Sequence, residues 1–277
     1  MASQVDRHQC DATVASNCRL QGEYFRIELT AAALARQAQP GQFVHLQLPG
    51  MAHRILRRPF SICDADGESG TLAVVYKVVG EGTRTMAELQ PGDAVNALGP
   101  LGRGYTPDPP GCDEAVLVGG GYGCAAVYLL AKRSSLACRC LFGGRTAGDI
   151  LLVDEFKALG CDVELSTEDG TAGHRGLVTD LLEDALDHRT GTPAVYACGP
   201  NPMLEAVARI VDQRGLDAEV SLDHEMCCGV GACFTCVVRK RADNENGWEY
   251  VRTCLDGPVF RASEIWWGEP ARTESDE

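Results

Sequence analysis

The sequence predicts a multidomain β plus α/β protein: an antiparallel β-barrel, then a parallel sheet covered by helices, then a small cysteine-rich module. Three observations predict it. Short apolar runs broken by Gly and Pro fill the first third, strand and helix alternate through the middle, and five of the fourteen cysteines fall between Cys227 and Cys254. The predicted bounds are 1–108, 109–217 and 218–277.

Residues 12 to about 106 read as all-β. The runs Phe25–Leu29, Phe43–Leu48 and Leu72–Val78 alternate or nearly so, between turn signals at Pro40-Gly41, Pro49-Gly50, Asp66-Gly67 and Pro91-Gly92. Closely spaced strands of this kind build barrels or sandwiches. Pro107, Pro109, Pro110 and Gly111 then form a stretch that neither a helix nor a central strand tolerates.

Beyond it the rhythm changes. Strands are expected at Ala115–Val118, Cys138–Phe142, Asp162–Ser166 and Ala194–Cys198, and helices at Ala125–Lys132, Asp154–Leu159, Thr179–Leu186 and Met203–Arg214. Such alternation implies a parallel sheet with helices on both faces. From about Glu219 the pattern breaks into a Cys- and Gly-rich region with short strands at Thr235–Arg239 and Glu249–Arg252.

At 277 residues the chain is long enough for two or three domains. Its net charge of −14 argues against a nucleic-acid or anionic-membrane partner. Part of that charge is an acidic tail, Glu274 to Glu277. The longest uncharged stretch, Ala115 to Ala131, is short for a membrane span and is interrupted by Gly119, Gly120, Gly121 and Gly123. Asp6, Arg7 and His8 precede no apolar segment, so no secretory signal is expected and the location is read as cytoplasmic.

The strongest motif is Cys228-Gly-Val-Gly-Ala-Cys233-Phe-Thr-Cys236, followed after seventeen residues by Cys254. This is the spacing of a plant-type [2Fe-2S] cluster, in which one tight loop delivers three thiolates and a later residue the fourth. Gly229 and Gly231 permit the sharp turns, and Ala232 leaves room. The competing assignment is a zinc tetrahedron, but zinc ribbons pair their ligands as two short knuckles and Cys254 has no such neighbour. Cys227 breaks the four-residue spacing and reads as packing or a spare thiol. His224 reads as a flank of the loop. The scattered cysteines read as small apolar fillers.

Arg58-Pro59-Phe60-Ser61 suits a flavin. Arg offers a planar fork to a pyrophosphate, Phe can lie against the ring, and Ser can hydrogen-bond its edge. The bland alternative is a solvated strand-edge arginine. About twenty residues on, Val75-Tyr76-Lys77 leads to Gly80-Glu-Gly82-Thr83, where Gly82 and Thr83 would offer backbone and hydroxyl donors to a phosphate. Gly99-Pro-Leu-Gly102-Arg-Gly104 closes the barrel region.

Val118-Gly119-Gly120-Gly121-Tyr122-Gly123 joins a strand to a helix, where glycine lets the backbone approach a dinucleotide pyrophosphate. Tyr196-Ala-Cys198-Gly199-Pro200-Asn-Pro202 is a second strand running into a turn and a helix. Cys198 would stand at the carboxyl end of a parallel strand, either as filler or, as favoured here, beside a nicotinamide. Arg145 reads as solvated, although it follows the second strand, where a 2′-phosphate would lie.

Over residues 10 to 215 the chain resembles the ferredoxin–NADP reductase superfamily, through Arg58–Ser61, Gly82-Thr83 and Cys198-Gly199-Pro200. Over nearly its whole length it looks like the electron-transfer subunits of class 1B dihydroorotate dehydrogenase. Arg57-Arg58-Pro59, Tyr76-Lys77-Val-Val-Gly80-Glu-Gly82-Thr83, the Cys228–Cys233 loop and Cys254-Leu-Asp-Gly257-Pro258-Val-Phe260 carry that likeness. It departs from the family at Tyr122, Cys124, the extra Cys227, and Phe60, which is bulkier than the usual aliphatic residue.

The resemblance implies FAD held by Arg58, Pro59, Phe60, Ser61, Val75, Tyr76, Lys77, Gly82 and Thr83. It implies a [2Fe-2S] cluster on Cys228, Cys233, Cys236 and Cys254, and the strand-turn-helix segments are read as placing NAD near Gly120, Gly121, Gly123, Cys198 and Gly199. It also implies an FMN-containing catalytic subunit in a two-plus-two complex, with electrons running from dihydroorotate through the cluster and FAD to NAD in pyrimidine biosynthesis. An FAD/[2Fe-2S] reductase subunit of a sulfite reductase, hydrogenase or ferredoxin-linked complex is the alternative. A non-enzymatic redox sensor or zinc scaffold, with no flavin, is the third.

Overall fold

The computed structural model describes residues 8–51, 55–222 and 224–268. Asp6, Arg7 and the acidic residues Glu274–Glu277 lie outside them. The N-terminal sheet is built from β1 (His8–Gln21), β2 (Tyr24–Thr30), β3 (Phe43–Gln47), β4 (Arg58–Ser61), β5 (Asp64–Asp66), β6 (Thr71–Lys77) and β7 (Ala94–Leu101), in the order β4-β3-β7-β1-β2-β6-β5. Every pairing in it is antiparallel. The sheet curls until β4 touches β6, which makes it barrel-like and encloses Ile27, Leu29, Val44, Leu46, Leu72 and Val74.

This region is not all-β. Two short helices interrupt it, α1 (Ala32–Gln37) and α2 (Glu81–Glu88). Helices of six and eight residues show too little periodicity to stand out from strand and turn patterns. Leu34, Ala35 and Met86 anchor them on the barrel core.

The second sheet follows an irregular connection. It contains β8 (Glu114–Gly120), β9 (Ala137–Gly144), β10 (Asp162–Thr167), β11 (His174–Arg175), β12 (Pro193–Gly199) and β13 (Ala218–Leu222), ordered β11-β10-β9-β8-β12-β13 and all parallel. β12 is buried along its whole length, as a central parallel strand must be. Helices α3 (Gly123–Arg133) and α4 (Val153–Ala158) cover one face, while α5 (Val178–Asp187) and α6 (Asn201–Asp212) cover the other. On α6, Leu204, Val207, Ala208 and Val211 recur at helical spacing and form the buried stripe.

Residues 218–222, read from sequence as the opening of the cysteine-rich segment, form the last parallel strand of this sheet. The segment beyond contains a hairpin, β14 (Val237–Arg241) and β15 (Trp248–Arg252), and a single turn of helix, α7 (Thr253–Asp256). Then β16 (Val259–Arg261) returns to pair antiparallel with β13. The cysteine-rich module is therefore an excursion from the edge of the nucleotide sheet, tied to it at both ends.

Polar contacts fix the two large units together. The Tyr105 hydroxyl donates to the Ala197 carbonyl at 3.1 Å, Tyr196 donates to the Thr106 carbonyl at 2.7 Å, and Lys132 meets Asp64 at 2.8 Å. Among the described residues no helix is long and apolar enough to cross a membrane.

Candidate functional site

Residues of the 58–61 and 75–83 flavin segments, apart in sequence, meet on one cavity of about 300 Å3, because the curled barrel brings β4 against β6, whereas Arg58, Gly82 and Gly99–Gly104 do not line it. Pro59, Phe60, Ser61, Val75, Tyr76, Lys77 and Thr83 line it. The Tyr76 ring is buried, 6.1 Å from Phe60, and its hydroxyl donates to Asn17 at 3.0 Å. Burial pushes the phenol up to about 12, so it remains a neutral donor.

Arg58 lies over the first turn of α2. A Cβ on Gly82 would fall 2.7 Å from the Arg58 Nε, so glycine here lets the guanidinium lie close against the helix. First-turn amides lack intrahelical partners, and with Arg58 they form a cationic cradle suited to a phosphate. Thr83, expected from the sequence as a hydroxyl donor to phosphate, lines the cavity and also serves α2. Its Oγ accepts from the amides of Val79 and Gly80, at 2.9 and 3.1 Å, and donates to the Gly80 carbonyl. The hydroxyl caps α2.

In the second sheet the chain steps from β8 outward to β9 on one side and to β12 on the other, so the strand order reverses between β8 and β12. Ligands in open parallel sheets bind at the carboxyl ends of such strands. A cleft of about 490 Å3 opens there, lined by Gly120, Gly121, Tyr122, Arg145, Glu168, Pro200 and Met203 among others. Gly121 adopts φ +57° with open space where a side chain would stand. Arg145 is three-quarters exposed and lies 3.9 Å from Asp149.

Gly123 does not line this cleft. A Cβ on it would lie only 2.1 Å from the Cys198 carbonyl oxygen, so it allows α3 to close against the end of β12. Gly199 is likewise pressed against Met203 and Gly120. Cys198, buried at the end of β12, lines the flavin-side cavity rather than the larger cleft. Gly123→Ala should therefore destabilise the chain by about 3 kcal/mol through overpacking against backbone. Its thermal midpoint, followed by calorimetry, should fall by on the order of 10 °C. An unchanged midpoint would contradict this packing role.

The cysteine loop lies on the outer face of the barrel. Cys236 and Cys254 are buried with Phe43 and Leu101, whereas Cys233 is exposed and Cys228 half-buried. Left-handed turns at Gly229, Gly231 and Phe234 bend the loop. The Arg252 guanidinium donates to the Gly231 carbonyl at 2.9 Å and stacks over Phe234. Backbone amides face sulfur, from Ala232 to Cys228 at 3.2 Å and from Cys254 to Cys236 at 3.5 Å.

Cys228 lies alongside Cys233, and Cys236 alongside Cys254, with Cys228 also acting on Cys254. Two pairs match a two-iron cluster, each iron taking two thiolates. Hydrogen bonds from Thr235 pull the Cys233 thiol down to about 6, towards the thiolate that iron binds. Burial, with Cys236 alongside, pushes Cys254 up to about 12.

Family models match all three parts of the chain. Residues 12–105 match "Oxidoreductase FAD-binding domain", 117–209 "Oxidoreductase NAD-binding domain", and 223–266 "Iron-sulfur cluster binding domain of dihydroorotate dehydrogenase B". The dihydroorotate dehydrogenase B (NAD(+)) electron transfer subunit of Bacillus caldolyticus is 38% identical over 258 residues, covering 91% of this chain and 96% of its own. The chain belongs to the family of dihydroorotate dehydrogenase B electron transfer subunits.

The corresponding subunit of Fusobacterium nucleatum is 34% identical over 264 residues, covering 92% of this chain and 97% of its own. Among solved structures, a chain of an NADH-dependent reduced ferredoxin-NADP oxidoreductase superposes with a TM-score of 0.79 at 28% identity, covering 92% of this chain and 90% of that one. FAD-binding, NAD-binding and cluster-binding domains are thus all present, in the order expected for this family.

Residues that local motifs did not single out also line the flavin-side cavity. Phe43, Ser221 and Met226 reach it from the barrel, the second sheet and the cysteine module. None carries a spacing signal, since each stands in an ordinary strand or loop and is brought there by tertiary packing.

Proposed function

We propose that the chain passes electrons from an FMN-containing dihydroorotate dehydrogenase subunit, through a [2Fe-2S] cluster and FAD, to NAD in pyrimidine biosynthesis. It acts in the cytoplasm within a complex of two subunits of each kind. The observation that carries this reading is the adjacency of three sites. The nucleotide cleft meets the flavin-side cavity at Tyr122 and Lys77, which line both. That cavity meets the cysteine module at Phe43 and Met226, which line the cavity and pack with Cys236 and Cys254.

In this reading Arg58 to Ser61, Val75 to Lys77, Gly82 and Thr83 hold FAD. Gly120, Gly121, Gly123, Cys198 and Gly199 shape the nucleotide site, and Cys228, Cys233, Cys236 and Cys254 hold iron. FAD exchanges electrons singly or in pairs, the property needed to join a one-electron cluster to a two-electron nicotinamide. The chain's own residues position these groups and shield them from water.

The likeness to the ferredoxin-linked oxidoreductase favours a second reading, with the same cofactors and a different partner. Isolating the chain with its bound subunits from its native cells, then assaying anaerobically for dihydroorotate-dependent NAD⁺ reduction, separates the two. Activity is the expected result. A complex that holds FAD and cluster and oxidises NADH, yet ignores dihydroorotate, would transfer the assignment to another partner.

A further inference from the structure

His45 stands at an unusual position. On β3, Val44 and Leu46 point into the barrel core while Phe43 belongs to the cluster of side chains beneath the cysteine loop. By the two-residue period of a strand, His45 shares the outward face with Phe43. An outward histidine on a barrel strand is ordinarily solvated. Here the cysteine module covers it completely, leaving it 0% exposed.

The ring lies directly against that loop. A Cβ built on Gly229 would fall 2.6 Å from the His45 Nε2, so the loop can come this close only because position 229 is glycine. On the other side Phe43 lies 5.6 Å away, ring centre to ring centre. Neither His45 nitrogen has a hydrogen-bond partner. A buried polar group left without a hydrogen bond is destabilising, so a partner is expected. Either tautomer of a neutral imidazole carries one N–H and one lone pair.

A buried donor beside a loop carrying three of the four candidate thiol ligands lacks only an acceptor. Thiolates and sulfides of an iron–sulfur cluster are acceptors, and hydrogen bonds to them help to set its potential. We propose that His45 donates its ring N–H to the sulfur shell of the cluster held by the 228–236 loop, as a positioning residue that raises the cluster's potential. The inference rests on the cluster assignment above. Reduction adds negative charge to the sulfurs, so a donor stabilises the reduced form more than the oxidised one. Its loss lowers the potential.

The test uses the complete, cofactor-loaded chain with ¹⁵N-labelled histidine. Pulsed EPR of the reduced cluster in D₂O should show a ¹⁵N coupling and an exchangeable deuteron. In His45→Gln and His45→Leu the nitrogen coupling should vanish, and His45→Leu should lose one deuteron coupling while those of the backbone amides facing Cys228 and Cys236 remain. Redox titration followed by EPR should place the His45→Leu cluster at a lower midpoint potential than wild type, with His45→Gln between them. A normal wild-type cluster signal without histidine coupling would overturn the proposal, even if both variants failed to fold. So would a coupling that persists in His45→Gln, or an unshifted potential in a His45→Leu chain with its cluster intact. A reduced wild-type chain with no [2Fe-2S] signal would instead overturn the cluster assignment and this proposal with it.

Discussion

Cys233→Ser is expected to strip the cluster and leave the rest of the chain standing. Cys233 is the exposed member of the candidate ligand set, so its replacement removes no core packing. Cys236 and Cys254 are buried with Phe43 and Leu101, and replacing either would confuse cluster loss with a damaged core. A serine hydroxyl is a harder ligand that keeps its proton at neutral pH, so it is a poor substitute where soft thiolates hold iron. The variant should lose the cluster's visible absorption and EPR signal. FAD content and NADH oxidation by an artificial dye should remain. Electron transfer to or from the catalytic subunit should fall to background, measured in the reconstituted complex. Transfer that survives without the cluster would show that the route does not run through it.

Arg58→Leu should weaken FAD binding while sparing the barrel. The guanidinium donates to the Leu56 carbonyl at 2.7 Å and otherwise lies over the start of α2. A hydrogen bond to a charged phosphate contributes about 1.5–3 kcal/mol. Its removal should therefore weaken FAD binding roughly tenfold to 150-fold. Flavin fluorescence titration of the FAD-stripped chain measures this directly. Arg58→Lys should fall between wild type and Arg58→Leu, because it keeps the charge and loses the planar fork. Equal affinity in all three would remove Arg58 from the flavin site.

Much of this organisation was legible in the residues. The cysteine loop could be read because its ligand spacing is local, three thiols within nine residues and glycines at the turns. The alternation of strands and helices announced the second sheet, since each element is long enough to show its period. The short helices α1 and α2 were not legible, for the opposite reason. Nor was the fate of residues 218–222. A strand-like pentapeptide ahead of a cysteine-rich stretch does not say which sheet it will join, and only its pairing with β12 and β16 assigns it.

Roles were harder to read than positions. Gly82, Gly121 and Gly123 look alike in a sequence, and each suggests backbone approaching a phosphate. In the fold, Gly82 makes way for Arg58, Gly121 takes a left-handed turn at the cleft, and Gly123 lets α3 meet β12. Thr83, expected at a phosphate, also caps α2 through its hydroxyl.

The sequence alone thus determined the fold class, the kinds of cofactor and the four candidate thiol ligands. The fold class and the thiol spacing are properties of neighbours along the chain, while the identity of the cofactors also drew on the likeness to the family. The tertiary structure decided how the sites abut, through Tyr122, Lys77, Phe43 and Met226, and why a histidine on β3 is buried against Gly229. Those contacts join residues far apart in sequence, and no local pattern encodes a distance that exists only once the barrel, the sheet and the cysteine module have packed together.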